Sequence, residues 1–297
     1  MTTAALQIRS PSWFDHGRLL LVSAIWGSAF LNNAIALQDF APISIAAFRI
    51  TMAAVIMLII CWGRSLFLRL DSRRISLLAG VGMLNSAMPF TLIGWGQQTV
   101  DPAVTGILLA ASPFAALLFA HYMTRDDRFS FNKLVGLLVG FAGVTVLLGQ
   151  GLFYDSTALP GMLAIISAAV CYAYSAALIR KLGGMSSLLV VAISLSFAAV
   201  LLLPVALWRH PPSQQVVHTD SLLALGFLAL GPTAFAYVLR TQIVQQNGVV
   251  FMSGAGYLIP LFAVLWTWMF LGQVPTLHAL LALVLILAGS AIGQRRS

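Results

Sequence analysis

Glutamate is absent from all 297 residues, and only eight aspartates stand against sixteen arginines and lysines. Asp15, Asp39, Asp71, Asp101, Asp126, Asp127, Asp155 and Asp220 all fall, by pattern, in connections or at helix ends. A carboxylate proton relay inside a membrane, and capture of cationic drugs by a buried acid, therefore lack the side chains they need. Charged residues of every kind make up 8% of the chain and apolar residues 60%, a balance that excludes an ordinary soluble domain. Cysteine is nearly absent too. Cys61 and Cys171 lie in separate apolar stretches and read as buried free thiols, which excludes a disulfide framework and thiolate metal spacing. His121 and His278 stand alone near helix ends, and no paired intramembrane aspartates or nucleophile elbow occur, so an enzyme is not expected, nor a cofactor or metal. The net charge of +8 comes from basic residues placed singly or in pairs at helix ends, which is no nucleic-acid footprint.

What is present is apolar length. Ten runs are long enough to cross about 30 Å of hydrocarbon at about 1.5 Å per residue. They lie near 19–38, 43–62, 75–97, 103–123, 132–149, 159–180, 186–207, 220–243, 249–271 and 276–293. Connections are short throughout, leaving no room for a second, soluble domain. The polar lead before the first run lacks a small-residue cleavage site, so that run reads as an uncleaved span. An N-terminus in the cytoplasm puts fourteen of the sixteen basic residues on the cytoplasmic side, with Arg209 outside and Arg49 within a span. The reverse orientation violates the positive-inside rule, so both termini are expected in the cytoplasm.

Residues 103–149 and 249–293 read as one helical hairpin written twice. Pro113 and Pro260 differ by 147 positions, and the late Ala142-Gly143 and Ala288-Gly289 steps by 146. Ten spans divide into two fives, and five is odd, so the second unit inserts upside down. The expected fold is all-α and polytopic: two inverted five-helix repeats, 1–150 and 151–297.

Polar residues inside lipid are costly and face protein or a water-filled cavity. Ser23, Trp26, Gly27, Phe30 and Asn33 share one face of the first span, and Asn85, Ser86, Pro89, Gly96 and Gln97 mark the third. Ser112 stands in the fourth, Ser167, Cys171, Tyr174 and Ser175 in the sixth, Thr233, Tyr237, Arg240 and Thr241 in the eighth, and Ser253 and Tyr257 in the ninth. Any one serine or threonine is explained by helix packing. Six spans with such stripes point to a shared cavity, with neutral, aromatic walls that include Trp26, Phe90, Trp95, Tyr172, Tyr174, Tyr237 and Tyr257. Arg49 is the one strong charge read as lying well inside a span, free to snorkel, to cap carbonyls or to take a substrate carboxylate. Candidate substrate-binding residues are Trp26, Phe30, Arg49, Asn85, Pro89, Trp95, Ser112, Tyr174, Thr233, Tyr237, Ser253 and Tyr257. Gly136, Gly140 and Gly143 give the fifth span a close-packing face suited to the periphery or to a homodimer through the fifth and tenth spans.

Trp26-Gly27-Ser28-Ala29-Phe30, Pro42 followed by Ala47-Phe48-Arg49, Gly161 through Arg180-Lys181, and the paired hairpins together carry a family resemblance. The chain resembles the ten-helix branch of the drug/metabolite transporter superfamily, the EamA-type exporters, over nearly its whole length, and is similar to aromatic amino-acid exporters. That family often has Leu-Gly-Glu after its fourth and ninth helices, where this chain has Thr124-Arg125-Asp126 and Leu271-Gly272-Gln273. The resemblance implies export of small metabolites, often amino acids, through a cavity lined by helices 1–4 and 6–9. The expected partners are a small-molecule substrate and the lipid bilayer, and the expected location is a bacterial cytoplasmic (inner) membrane. Neutral or zwitterionic amino acids with aromatic or apolar side chains are the leading substrates, and nucleosides or drugs the alternative. Facilitated diffusion is the expected energetics, since coupling carboxylates are absent.

Overall fold

The computed structural model describes residues 11–66, 70–109, 131–153, 157–182, 184–211 and 217–294. Among them every regular element is helical. The first three are α1 (Trp13–Ala36), α2 (Pro42–Gly63) and α3 (Ser72–Gly96). Then come α4 (Pro102–Leu109), α5 (Phe131–Phe153), α6 (Ala158–Arg180) and α7 (Ser187–Arg209). The helix α8 combines Thr219–Leu228, a π-helical stretch Ala229–Phe235, and Ala236–Ser253; α9 (Ala255–Leu271) and α10 (Leu277–Gln294) complete the bundle. Six stretches, in α1, α2, α3, α6, α7 and α8, are long and apolar enough to cross a membrane. Leu138, Phe141, Val200, Leu223 and Val284 face outward and are exposed, the reverse of a water-soluble surface.

Where α1 begins is set by polar chemistry rather than apolar periodicity. Ser12 caps it: the Ser12 backbone N–H donates to the Asp15 carboxylate at 2.9 Å, and the Asp15 N–H donates back to Ser12 Oγ at 3.4 Å. This capping box satisfies orphan donors of the first turn and starts the helix six residues before the expected apolar run. Further along, α8 extends through residues 244–248 and the next helix is entered at Gly254.

The helices pack closely where side chains are small. Ala46, Ala47, Ala53 and Ala54 of α2 share one buried cluster with Leu189, Ala192, Leu195 and Ala198 of α7. Helices α5 and α10 meet through glycine. A Cβ on Gly143 would stand 2.8 Å from Ile286 Cγ1 and 2.9 Å from the Ala282 carbonyl. A Cβ on Gly289 would stand 2.5 Å from both the Gly136 carbonyl and the Gly140 nitrogen. Those two contact sets map onto each other by the same shift of 146 that relates Gly143 to Gly289. The glycine face read as a possible seam for a second copy is thus occupied inside the chain.

Two helices that carry a mid-span proline contain a π-helical turn: Met83–Ala87 in α3, just before Pro89, and Ala229–Phe235 in α8, around Pro232. A proline supplies no N–H to the carbonyl four residues earlier, and a widened turn is one way to accommodate that loss.

Candidate functional site

The two freed carbonyls organise the centre of the bundle. Pro89 leaves the Asn85 carbonyl without its i+4 donor, and the Tyr237 hydroxyl of α8 donates to it instead. The Asn85 side-chain amide in turn donates to the Tyr237 hydroxyl oxygen, while its carbonyl oxygen accepts from Ser175 Oγ of α6 at 2.9 Å. On α8, Pro232 leaves the Leu228 carbonyl in the same position, and Thr233 Oγ1 donates to it at 2.7 Å. Thr233 Oγ1 then accepts from Arg49 Nε of α2 at 2.9 Å. The Arg49 guanidinium carbon lies 4.0 Å from the centroid of the Phe90 ring, a cation–π contact that desolvation strengthens. With 6% exposure, Arg49 is neither snorkelling nor solvated.

Trp26 closes one side. Its indole N–H donates to the Pro232 carbonyl at 3.1 Å, and its ring meets Tyr237 edge-on at 6.2 Å between centroids. It is brought there by the next residue: a Cβ on Gly27 would stand 2.5 Å from Phe262 Cβ and 2.9 Å from the Ala263 nitrogen, so α1 and α9 approach almost backbone to backbone. The hub therefore draws on α1, α2, α3, α6 and α8, each side chain held by a named partner.

Two layers flank it, one towards each end of α1. Where α1 begins, Arg18 donates to Gln242 and, at 3.0 Å, to Gln246, over an apolar layer of Leu19, Val22, Ile243, Met252 and Ala255. Where α1 ends, Ala36, Phe40 and Ile45 pack on Ala224, Leu225 and Leu228, and Ser221 Oγ donates to the Ile35 carbonyl at 3.2 Å. Beyond that layer Asp39 and His218 join the α1–α2 connection to the start of α8, with a ring-nitrogen contact of 2.8 Å and a backbone N–H donation of 2.7 Å. The His218 backbone N–H first, and its side chain next, lower the Asp39 pKa to about 2, and the Asp39 carboxylate raises that of His218. On the α3 side Asn33 Nδ2 donates to Gln97 Oε1 at 2.8 Å, and Gln97 Nε2 donates to the Phe30 carbonyl at 3.0 Å.

A cavity of about 410 Å³ lies at the end where α1 finishes, lined by amides and polar groups that include Gln38, Gln97, Gln98, Asp101 and Gln273. Trp26 and Tyr237 are drawn together in the hub, because the Tyr237 hydroxyl bonds to the Asn85 carbonyl and the Trp26 ring N–H to the Pro232 carbonyl.

Of the twelve candidate residues, the structure brings Trp26, Arg49, Asn85, Thr233 and Tyr237 into the hub, with Pro89 acting through the carbonyl it frees. Phe30 lies buried one layer away, clustered with Ile93, Ala168 and Ala263 and packed by Tyr172. Trp95 does not join them: it is 48% exposed, on the outward side of α3 with Met88, where a large amphipathic ring suits a lipid interface. Tyr174 is half-buried on α6, and its neighbour Ser175 bonds to Asn85 of the hub. Ser112 lies outside the described residues; Ser253 and Tyr257 sit in helical backbone, and their side chains are likewise outside what is described. Ser167 bonds back to the Leu163 carbonyl at an exposed position, the plain packing role of such residues.

Residues that periodicity undervalued are Phe90, Tyr172, Ser175 and Arg240. Arg240, counted among the cytoplasmic charges, lies within the apolar stretch Thr219–Ile243 and is half-buried. Its signal was its spacing, since 233, 237 and 240 fall on one helical face.

Comparison with known proteins gives this geometry a context. The chain is 26% identical over 284 residues to a probable terminal-alkyne amino-acid exporter of Streptantibioticus cattleyicolor, covering 94% of this chain and 93% of that one. It is 27% identical to an S-adenosylmethionine/S-adenosylhomocysteine transporter of Chlamydia trachomatis, covering 86% and 81%. The transporter YdfC of Bacillus subtilis, uncharacterized, matches at 24% over 91% and 87%. A solved crystal structure shares the fold with a TM-score of 0.68 at 20% identity, over 94% of this chain and 96% of its own. The EamA-like transporter family matches residues 18–149 and again residues 159–292. With nearly the whole chain so accounted for, and all described elements helical, this protein belongs to the EamA-like transporter family and is a multi-pass membrane transporter.

Proposed function

We propose that the protein exports small carboxylate-bearing metabolites, foremost amino acids with aromatic or apolar side chains, across a bacterial inner membrane by alternating access. The observation that carries this reading is Arg49: desolvated, oriented by Thr233 and Phe90, and without a carboxylate partner among the described residues. A guanidinium in that setting favours an anionic group, and the neighbouring Trp26, Phe90 and Tyr237 offer rings for an apolar side chain. The likeness to an amino-acid exporter supports the same class. A nucleoside or drug exporter is the second reading, favoured by the likeness to a transporter of adenosine-bearing S-adenosylmethionine. Enzymatic activity forms no part of the reading.

The topology proposed is ten spans in two inverted units, 1–150 and 151–297, with both termini cytoplasmic. Reciprocal glycine contacts between α5 and α10, and π-helical turns in both α3 and α8, support that division. With Arg240 moved into the membrane, thirteen of the sixteen basic residues remain on the cytoplasmic side, which still supports the orientation. Any pairing of two copies through α5 and α10 uses their outer faces.

Uptake of labelled tryptophan, phenylalanine and leucine into liposomes holding the purified protein, with and without an imposed pH gradient, tests the function. Saturable uptake indifferent to the gradient is expected. Accumulation only with the gradient overturns facilitated diffusion, and no uptake of any of the three overturns the amino-acid reading in favour of nucleosides or drugs.

A further inference from the structure

The geometry points to Arg240 as a second carboxylate-binding residue, making the site one that accepts anions and zwitterions through two successive guanidiniums and rejects organic cations. This rests on the reading of the hub as the substrate site. Arg240 stands seven residues past Thr233, about 10 Å further along α8 at the usual helical rise. It shares a face with Thr233 and Tyr237, so it points to the same side of α8 as the group that holds Arg49. Tyr172 of α6 and Tyr237 each interact electrostatically with both guanidiniums.

The charge balance sets the preference. Among the described residues no carboxylate pairs with Arg49 or Arg240, and no hydrogen bond holds Arg240. Arg18, by contrast, has Gln242, Gln246 and, at 3.7 Å, Asp15. Two positive charges without a counter-ion in a low-dielectric region repel a cation and attract an anion. Arg240 is rooted about 10 Å further along α8 than Thr233, which holds Arg49, so the two act in turn. Arg240, beside the Arg18–Gln242 end, receives the carboxylate first on export, and Arg49 takes it next, with the rings between them holding the apolar part.

The test is equilibrium binding to the detergent-purified full chain of three aromatic probes of similar size: phenylpyruvate (anion), phenylalanine (zwitterion) and phenethylamine (cation). Phenethylamine is expected to bind at least about tenfold more weakly than phenylpyruvate, and Arg240→Gln to weaken phenylpyruvate by about tenfold, with Arg240→Lys retaining most of the affinity. Phenethylamine binding as tightly as phenylpyruvate, or a folded Arg240→Gln with wild-type phenylpyruvate affinity, overturns the proposal. If Arg240→Gln does not fold, the wild-type charge series and Arg240→Lys decide it. Failure of the two readings is distinguishable. Phenylpyruvate binding that depends on Arg240, without phenylalanine transport, sinks only amino-acid export; phenylalanine transport indifferent to Arg240 sinks only the second site.

Discussion

The Tyr237 hydroxyl donates to the Asn85 carbonyl, the carbonyl that Pro89 deprives of its helical donor. One interrupted helix is thereby mended by a side chain of another, and the two interrupted helices become coupled. Tyr237→Phe leaves that buried carbonyl and the Asn85 amide short of a partner, a loss of about 1–3 kcal/mol. Thermal unfolding in detergent is expected to show it. Tyr237→Phe and Asn85→Ala are expected to be non-additive, because they break the same bonds; additive effects would show that the hub is not one network.

Gly289 offers a second stability test, remote from the hub. Alanine there places a methyl group 2.5 Å from the Gly136 carbonyl of the facing helix. Backbone cannot yield as a flexible side chain can, so Gly289→Ala is expected to destabilise by about 1–3 kcal/mol. Wild-type stability in this variant would mean that α5 and α10 do not pack this closely.

The Asp39–His218 tie has a calculable pH dependence. His218 is raised by its partner, so its contribution is full below the ordinary histidine value of 6.5 and is lost as pH rises through the raised value. Asp39 is lowered to about 2, so its contribution is full above the ordinary 3.8 and is lost as pH falls toward 2. Asp220 nearby also favours the protonated histidine. The stability difference between wild type and His218→Ala is expected to be largest between these two ordinary values and to shrink on either side. A difference constant from acid to alkaline pH would show that the pair makes no charged contribution.

The transport path is open to chemical mapping. Single-cysteine variants at Ser112 and Ser253, in a background without Cys61 and Cys171, are expected to react with a membrane-impermeant thiol probe and to be shielded by substrate. Labelling that substrate leaves unchanged would remove those two faces from the path.

Much of the helical framework was legible in the sequence, because apolar run length alone signals a helix long enough for a bilayer. What ran out was direction. A helix apolar on every side carries no stripe to say which face meets lipid and which meets protein, and so the exposed Trp95 was weighted equally with Trp26 and Tyr237. Arg240 was read both on the polar face of the eighth span and among the cytoplasmic charges, because next to a polar stretch its charge looked like the end of a span. The start of α1 was missed because Ser12 and Asp15 extend it by capping rather than burial. Pro89 and Pro232 were visible as breaks; Thr233 repairs the Leu228 carbonyl locally, but the repair of the Asn85 carbonyl by Tyr237 depends on α3 and α8 meeting across 152 residues. The glycines of α5 advertised close packing without naming the partner, which proved to be α10.

The most direct single measurement is the affinity of labelled phenylalanine for purified wild type and for Arg49→Gln, each checked for folding by thermal unfolding. If Arg49 takes the substrate carboxylate, the variant binds about tenfold or more weakly, the loss of a charge-assisted hydrogen bond out of water. A folded Arg49→Gln that binds phenylalanine as tightly as wild type would contradict the placement of the substrate at this hub.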